Sequence, residues 1–188
     1  NVGGVCWLEE FRLCRRRALI DMDPFFAQVG RFGMDGFSDH QVYFSYGMNI
    51  GRPGCGIPVG RTDWISSVPP VVPELWSGIE PVHEVQGKSA ERNVLTTIAN
   101  WKAYGAVTYK GERYGQKDEE FLKVIDLPRH TSQKLELAVS GIGPGLTEQL
   151  RSAGWLVRSA TELSSSVSAY RQYIARSRGE FSVAKNAY

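Results

Sequence analysis

The chain is 188 residues long, 42% hydrophobic and 22% charged, with a formal net charge of +2. That is ordinary globular composition, not that of a disordered chain, and no apolar run reaches the roughly 18–20 residues that a membrane-spanning helix needs. So small a net charge gives no electrostatic footprint for nucleic acid, and the one basic run, RLCRRR at Arg12–Arg17, reads as a solvated face.

In chain order, ALIDM (18–22) is a short apolar run halted by Asp23-Pro24 and reads as a buried strand. QVYFSYGMNI (41–50) is rich in Val, Tyr and Phe and reads as a second strand. The GRPGCGIPVG that follows enforces loop through its glycines and prolines. PPVVPELW (69–76) is bracketed by prolines and reads as an extended connection, and NVLTTIANW (93–101) as a strand by its β-branched content. KDEEFLKVIDLP (117–128) predicts a helix, with Phe121, Val124 and Ile125 on one face and Pro128 at its end.

Beyond Pro128 the texture changes. KLELAVSG predicts a strand, GPGLTEQLRSAG a loop and helix, WLVRS a strand, SAYRQYIARS a helix and FSVAK a strand, with the short serine-rich linker SSSVS at 164–168. Strands alternating with helices at this spacing predict a parallel sheet with crossover helices. PRHTSQ marks a boundary, which gives an α/β chain in two pieces, 1–129 and 130–188. The opening on Asn1 and the close on a strand and site-like RGEFSVAKNAY suggest a piece of a longer reading frame. On that expectation both pieces are incomplete, the chain alone turns nothing over, and its sheet edges invite aggregation.

The three cysteines, Cys6, Cys14 and Cys55, are odd in number and lack CxxC spacing, so neither a disulfide framework nor a zinc site is indicated and a reduced, cytoplasmic setting is expected. His40, His83 and His130 are far apart, with no HExxH pair. SGIGPG, between a strand and a helix, resembles the opening of a dinucleotide-binding unit, in which glycines let the first helical N–H groups approach a pyrophosphate. Pro144 removes one donor, however, and the next strand ends in Arg158 where a ribose would need an acid. Asp21-Met22-Asp23 at a strand end can hold a divalent metal, bind a sugar hydroxyl or tie loops together. YKGERYGQKDEEF gathers Lys110, Arg113, Gln116 and Lys117 around two glycines, as an anion-facing turn or as a local ion network with residues 118–120. SRGEFSVAKN carries Arg176, Ser177, Arg178, Glu180, Lys185 and Asn186 around one strand, with Arg and Lys suited to phosphate and Glu and Asn to hydroxyls.

The ordered series DMDPFFAQ, YFSYGMNIG, PPVVPELW, TTIANW, YKGERYGQKDEEF, AGWLV, YRQYI and SRGEFSVAKNAY resembles a group of bacterial GT-B-type, family 1-like glycosyltransferases over about residues 18–188. The tail and YGQKDEEF are its most specific parts. The resemblance implies two Rossmann-like domains, 1–129 being the later part of the acceptor-side domain and 130–188 the first part of the donor-side one. It implies transfer of a sugar from a nucleotide-sugar donor to an acceptor, with no essential metal or other cofactor. It places Asp21, Asp23, Asn49 and Lys117 on the acceptor side of the cleft, and Arg176, Glu180, Lys185 and Asn186 at the donor phosphates and sugar. It assigns no catalytic base. Two alternatives stay open: a nicotinamide-dependent oxidoreductase using GIGPG, and a non-catalytic nucleotide- or sugar-binding protein.

Overall fold

The structure is a computed structural model that describes residues 7–31, 36–77 and 93–187. Cys6 and His83 lie outside the described residues. The fold is mixed α/β, built on two parallel sheets in two compact units. The first unit takes residues up to Val71 together with Val107–Tyr114 and the last two residues; the second takes Val72–Ala106 and Gly115–Asn186.

In the first unit, β1 (Ala18–Asp21), β2 (Val42–Ser45) and β3 (Trp64–Ser66) form a parallel sheet in that order. Ala18 stands against Val42 and Asp21 against Ser45, so the two strands end level. The crossover from β1 runs through α1 (Phe26–Arg31). Leu19 of β1 is buried with Phe25, Phe26, Ala27, Phe37 and Ile50. Tyr43 and Trp64, neighbours in the ladder, meet edge to face at 5.7 Å. A hairpin of β5 (Val107–Tyr109) and β6 (Glu112–Tyr114) completes the unit. Its two-residue turn, Lys110-Gly111, has both residues at positive φ (52° and 84°), the geometry that matches the twist of the strands.

The second unit holds a four-stranded parallel sheet in the order β8–β7–β4–β9, made of β4 (Val94–Asn100), β7 (Lys134–Ser140), β8 (Leu156–Ser159) and β9 (Gly179–Glu180). Its helices are α2 (Lys117–Leu122), α3 (Pro144–Ser152), α4 (Ala160–Leu163) and α5 (Val167–Ala175). Side chains alternate across a strand, and the two faces of this sheet differ in kind. Leu135, Leu137 and Val139 share the core with Phe121, Leu150, Trp101 and Trp155. The ring nitrogen of Trp155 donates to the carbonyl of Ile125 at 2.7 Å, which satisfies the one polar atom of that large side chain. The other face carries Thr96, Glu136 and Arg158 beside α5.

Several expectations are corrected. The boundary at 129/130 falls inside the second unit, because β4 before it and β7 after it pair along seven residues, from Val94–Lys134 to Asn100–Ser140. The strand expected over 41–50 stops at Ser45, where the Gly47 amide turns back to the Ser45 hydroxyl at 3.0 Å and Ile50 N–H closes on the Gly47 carbonyl. The helix expected over 117–128 is α-helical only to Leu122. It continues in three-residue turns, Val124 to Phe121 and Leu127 to Val124, which keep Val124 and Ile125 against the core. The last strand is Gly179–Glu180, not FSVAK. After the bond from Phe181 N–H to the Thr96 carbonyl the ladder ends, although Phe181 and Val183 still pack inward.

Candidate functional site

In a parallel sheet, ligands sit beyond the carboxyl ends of the strands. A cavity of about 900 Å³ lies there in the first unit. Met22 and Pro24, just after β1, and Tyr46 to Ile50, just after β2, form one side of it. Arg52 to Cys55 and Ile57 of the glycine- and proline-rich loop form the other. The walls are mostly apolar, with Asn49, Arg52 and the thiol of Cys55 as polar groups. The side chains of Asn49 and Arg52 make no hydrogen bond within the described residues. Met22 and Met48 are 49% and 56% exposed at its margin, polarizable side chains that adapt to a guest.

What shapes this edge is the buried carboxylate of Asp21, 1% exposed. One oxygen accepts from Gln28 Nε2 and from Ser45 Oγ, both at 2.7 Å; the other accepts from the Asp23 amide at 2.9 Å. Gln28 in turn accepts from the Phe25 amide at 2.6 Å. One acid thus ties the end of β1, the first helix and the end of β2. It also holds Phe25 at φ 71°, a costly conformation for an aromatic residue. The Phe25 ring is fixed by Tyr114 at 4.0 Å and by Phe26 at 5.3 Å. Of the three roles open to Asp21-Met22-Asp23, the geometry of Asp21 is that of a loop tie; Met22 between the acids is the residue that lines the cavity. Among the described residues no group of three or more His, Cys, Asp or Glu side chains is placed to hold a metal ion.

The expected acceptor-side residues divide. Asn49 lines the cavity and Asp21 lies buried at the same strand ends, with Asp23 donating its amide to Asp21. Lys117 belongs to the second unit, where its ammonium donates to Ser182 Oγ at 3.4 Å. The basic cluster around Gly111 and Gly115 divides too: Lys110 and Arg113 belong to the hairpin of the first unit, Gln116 and Lys117 to the start of α2.

The expected donor-side residues flank β9 rather than converge. Lys185 and Asn186 follow the strand. Lys185 stands over the Tyr104 ring at 5.0 Å and donates to its hydroxyl at 3.2 Å, while the Asn186 carbonyl oxygen accepts from the Gly115 amide at 3.0 Å. Arg176 precedes the strand, at the end of α5 and near the amino end of β4. Arg178 binds Asn93 and Gln133 at 2.7 and 2.6 Å and so clasps the amino ends of β4 and β7. Glu180 lies exposed in the ladder opposite Thr96. In SGIGPG only Gly141 is demanded by its backbone, at φ 76°; a Cβ on Gly143 or Gly145 would meet open space. Pro144 is the first residue of α3, whose N-cap Gly143 offers no side-chain cap.

Arg52 and Cys55 were hidden to sequence reading inside a stretch legible only as loop. The available signal was an Arg and a Cys set among glycines directly after a strand end. Glu136 was missed, and Arg158 was noted only as the end of its strand, because KLELAVS and WLVRS read as strands with no sign of which face each side chain takes. Set against protein-family models, curated proteins and solved structures, the chain matches none.

Proposed function

We propose that this chain is part of a nucleotide-sugar-dependent glycosyltransferase of the GT-B type, its first unit taking the acceptor and its second the donor. The observation that carries this reading is the cavity of about 900 Å³ beyond the carboxyl ends of β1 and β2, of the size and mixed lining of a small-molecule site. The parallel α/β build of both units agrees with two Rossmann-like domains. Glycosyl transfer requires that charge developing on the leaving diphosphate be neutralised, and fixed donors do this best where water is excluded. At the carboxyl edge of the second sheet the chain offers Lys185 and the N-terminus of α3, with its open glycines. Asn49 and Arg52 would orient the acceptor.

The test is a melting titration with UDP, GDP, ADP and NADP. A ligand at about 100 times its Kd stabilises by about 2.7 kcal/mol, enough to read directly. The expected result is a rise in Tm with one nucleoside diphosphate that is lost in Lys185→Ala. A rise with NADP alone would transfer the reading to a nicotinamide enzyme built on GIGPG, and no rise with any of the four would remove it.

A further inference from the structure

The polar face of the second sheet encloses a cavity of about 520 Å³, near the amino ends of β4 and β7 and away from the edge assigned to the donor. From this cavity we infer a second binding site, for a small sugar phosphate, that stands whether or not the protein is a transferase.

Its depth is set by Tyr173 of α5, 7% exposed. The Tyr173 hydroxyl is buried beside Glu136 and Thr96, yet among the described residues no partner meets it at good hydrogen-bond geometry. A phenol so placed forfeits its bonds to water unless something supplies one. Thr96 is itself engaged, its hydroxyl 2.7 Å from that of Ser177. Glu136 reaches the same space from β7, half-buried and in no ion pair among the described residues. Around the rim stand the cations Lys134, Arg158 and Arg176, all exposed. A carboxylate and a phenol at depth suit sugar hydroxyls, which donate to the first and bond either way with the second. Guanidinium groups at the rim suit a phosphate that stays near water. The volume lies in the range of sites for small molecules.

The experiment is a melting and calorimetric titration of the protein with glucose 6-phosphate, glucose and inorganic phosphate in turn. Glucose 6-phosphate is expected to bind more tightly than either half, and Arg158→Ala, at an exposed position, to weaken it by about tenfold. Tyr173→Phe gives the sharper sign. Removing an unsatisfied buried hydroxyl is expected to raise the Tm of the free protein while reducing the ligand-induced rise. The inference is overturned if no probe binds, if phosphate alone binds as tightly as the sugar phosphate, or if Tyr173→Phe lowers the free Tm and leaves binding unchanged. A rise in Tm with one nucleoside diphosphate and none with glucose 6-phosphate would overturn this site and leave the transferase reading intact.

Discussion

Asp21 shows how much of the first unit hangs on one side chain. Its carboxylate accepts three hydrogen bonds in a site from which water is excluded. Asp21→Ala leaves Gln28 and Ser45 with buried donors unmet, so the expected loss is about 3–5 kcal/mol in a urea melt. Asp21→Asn, of the same shape, should cost less, since the amide oxygen still accepts. Equal midpoints for wild type and Asp21→Ala would show that the tie is not made in solution. Tyr173 makes a prediction against pH. Burial first, and then the charge of Glu136, push its phenol above the ordinary value. The folded state therefore holds the proton longer than the unfolded chain, so this contribution is complete below about pH 10 and fades as pH climbs past the unfolded value. Urea midpoints from pH 8 to 11.5 should fall less steeply in Tyr173→Phe than in wild type; parallel slopes would contradict the burial. Neither role was legible in the sequence. A DMD triplet carries no sign of whether its first acid faces solvent or three internal donors, and a tyrosine in a helix does not announce the glutamate across from it.

Elements were legible where one periodicity ruled. Strands β1, β4, β7 and β8 and helices α3 and α5 stand where apolar runs and punctuation placed them, because each has one face committed to a core. Expectation failed where composition outlasted geometry. The aromatic YFSYGMNI continued past Ser45 as strand-like residues, but Gly47 and Asn49 had already turned the chain. The hairpin of β5 and β6 was passed over because its turn is Lys-Gly rather than Asn-Gly. Lys110 bears the consequence, a side-chain-bearing residue at φ 52°. Lys110→Asn should raise stability by about 0.5–1 kcal/mol, since Asn tolerates the left-handed region better. A lowered melting temperature would mean that the stacking of the Lys110 ammonium on Tyr109, at 5.3 Å, outweighs the backbone strain. In the second sheet, Leu137 is fully buried among Phe121, Leu150 and Trp155. Leu137→Ala should cost about 2–5 kcal/mol, with the polar face of the same sheet and its sugar-phosphate binding unchanged in the folded fraction.

At the scale of the whole molecule, two parallel sheets each offer a carboxyl edge, and the second also offers a polar face. The sequence marked α/β alternation but not the division of the chain, because the second unit borrows β4 from before the apparent boundary. Long-range pairing of this kind leaves no local trace. It also separates Arg176 from Lys185, which sequence proximity had joined in one cradle. The central claim is that a nucleotide-sugar docks at the carboxyl edge of the second sheet. The measurement that tests it most directly is amide chemical-shift mapping of the labelled protein as UDP-, GDP- and ADP-glucose are added in turn. The account predicts that one of them perturbs Gly141 to Gly145 and Lys185, with Thr96 and Tyr173 unmoved. Shifts confined to Thr96, Arg158 and Tyr173, or none with any of the three, would contradict it.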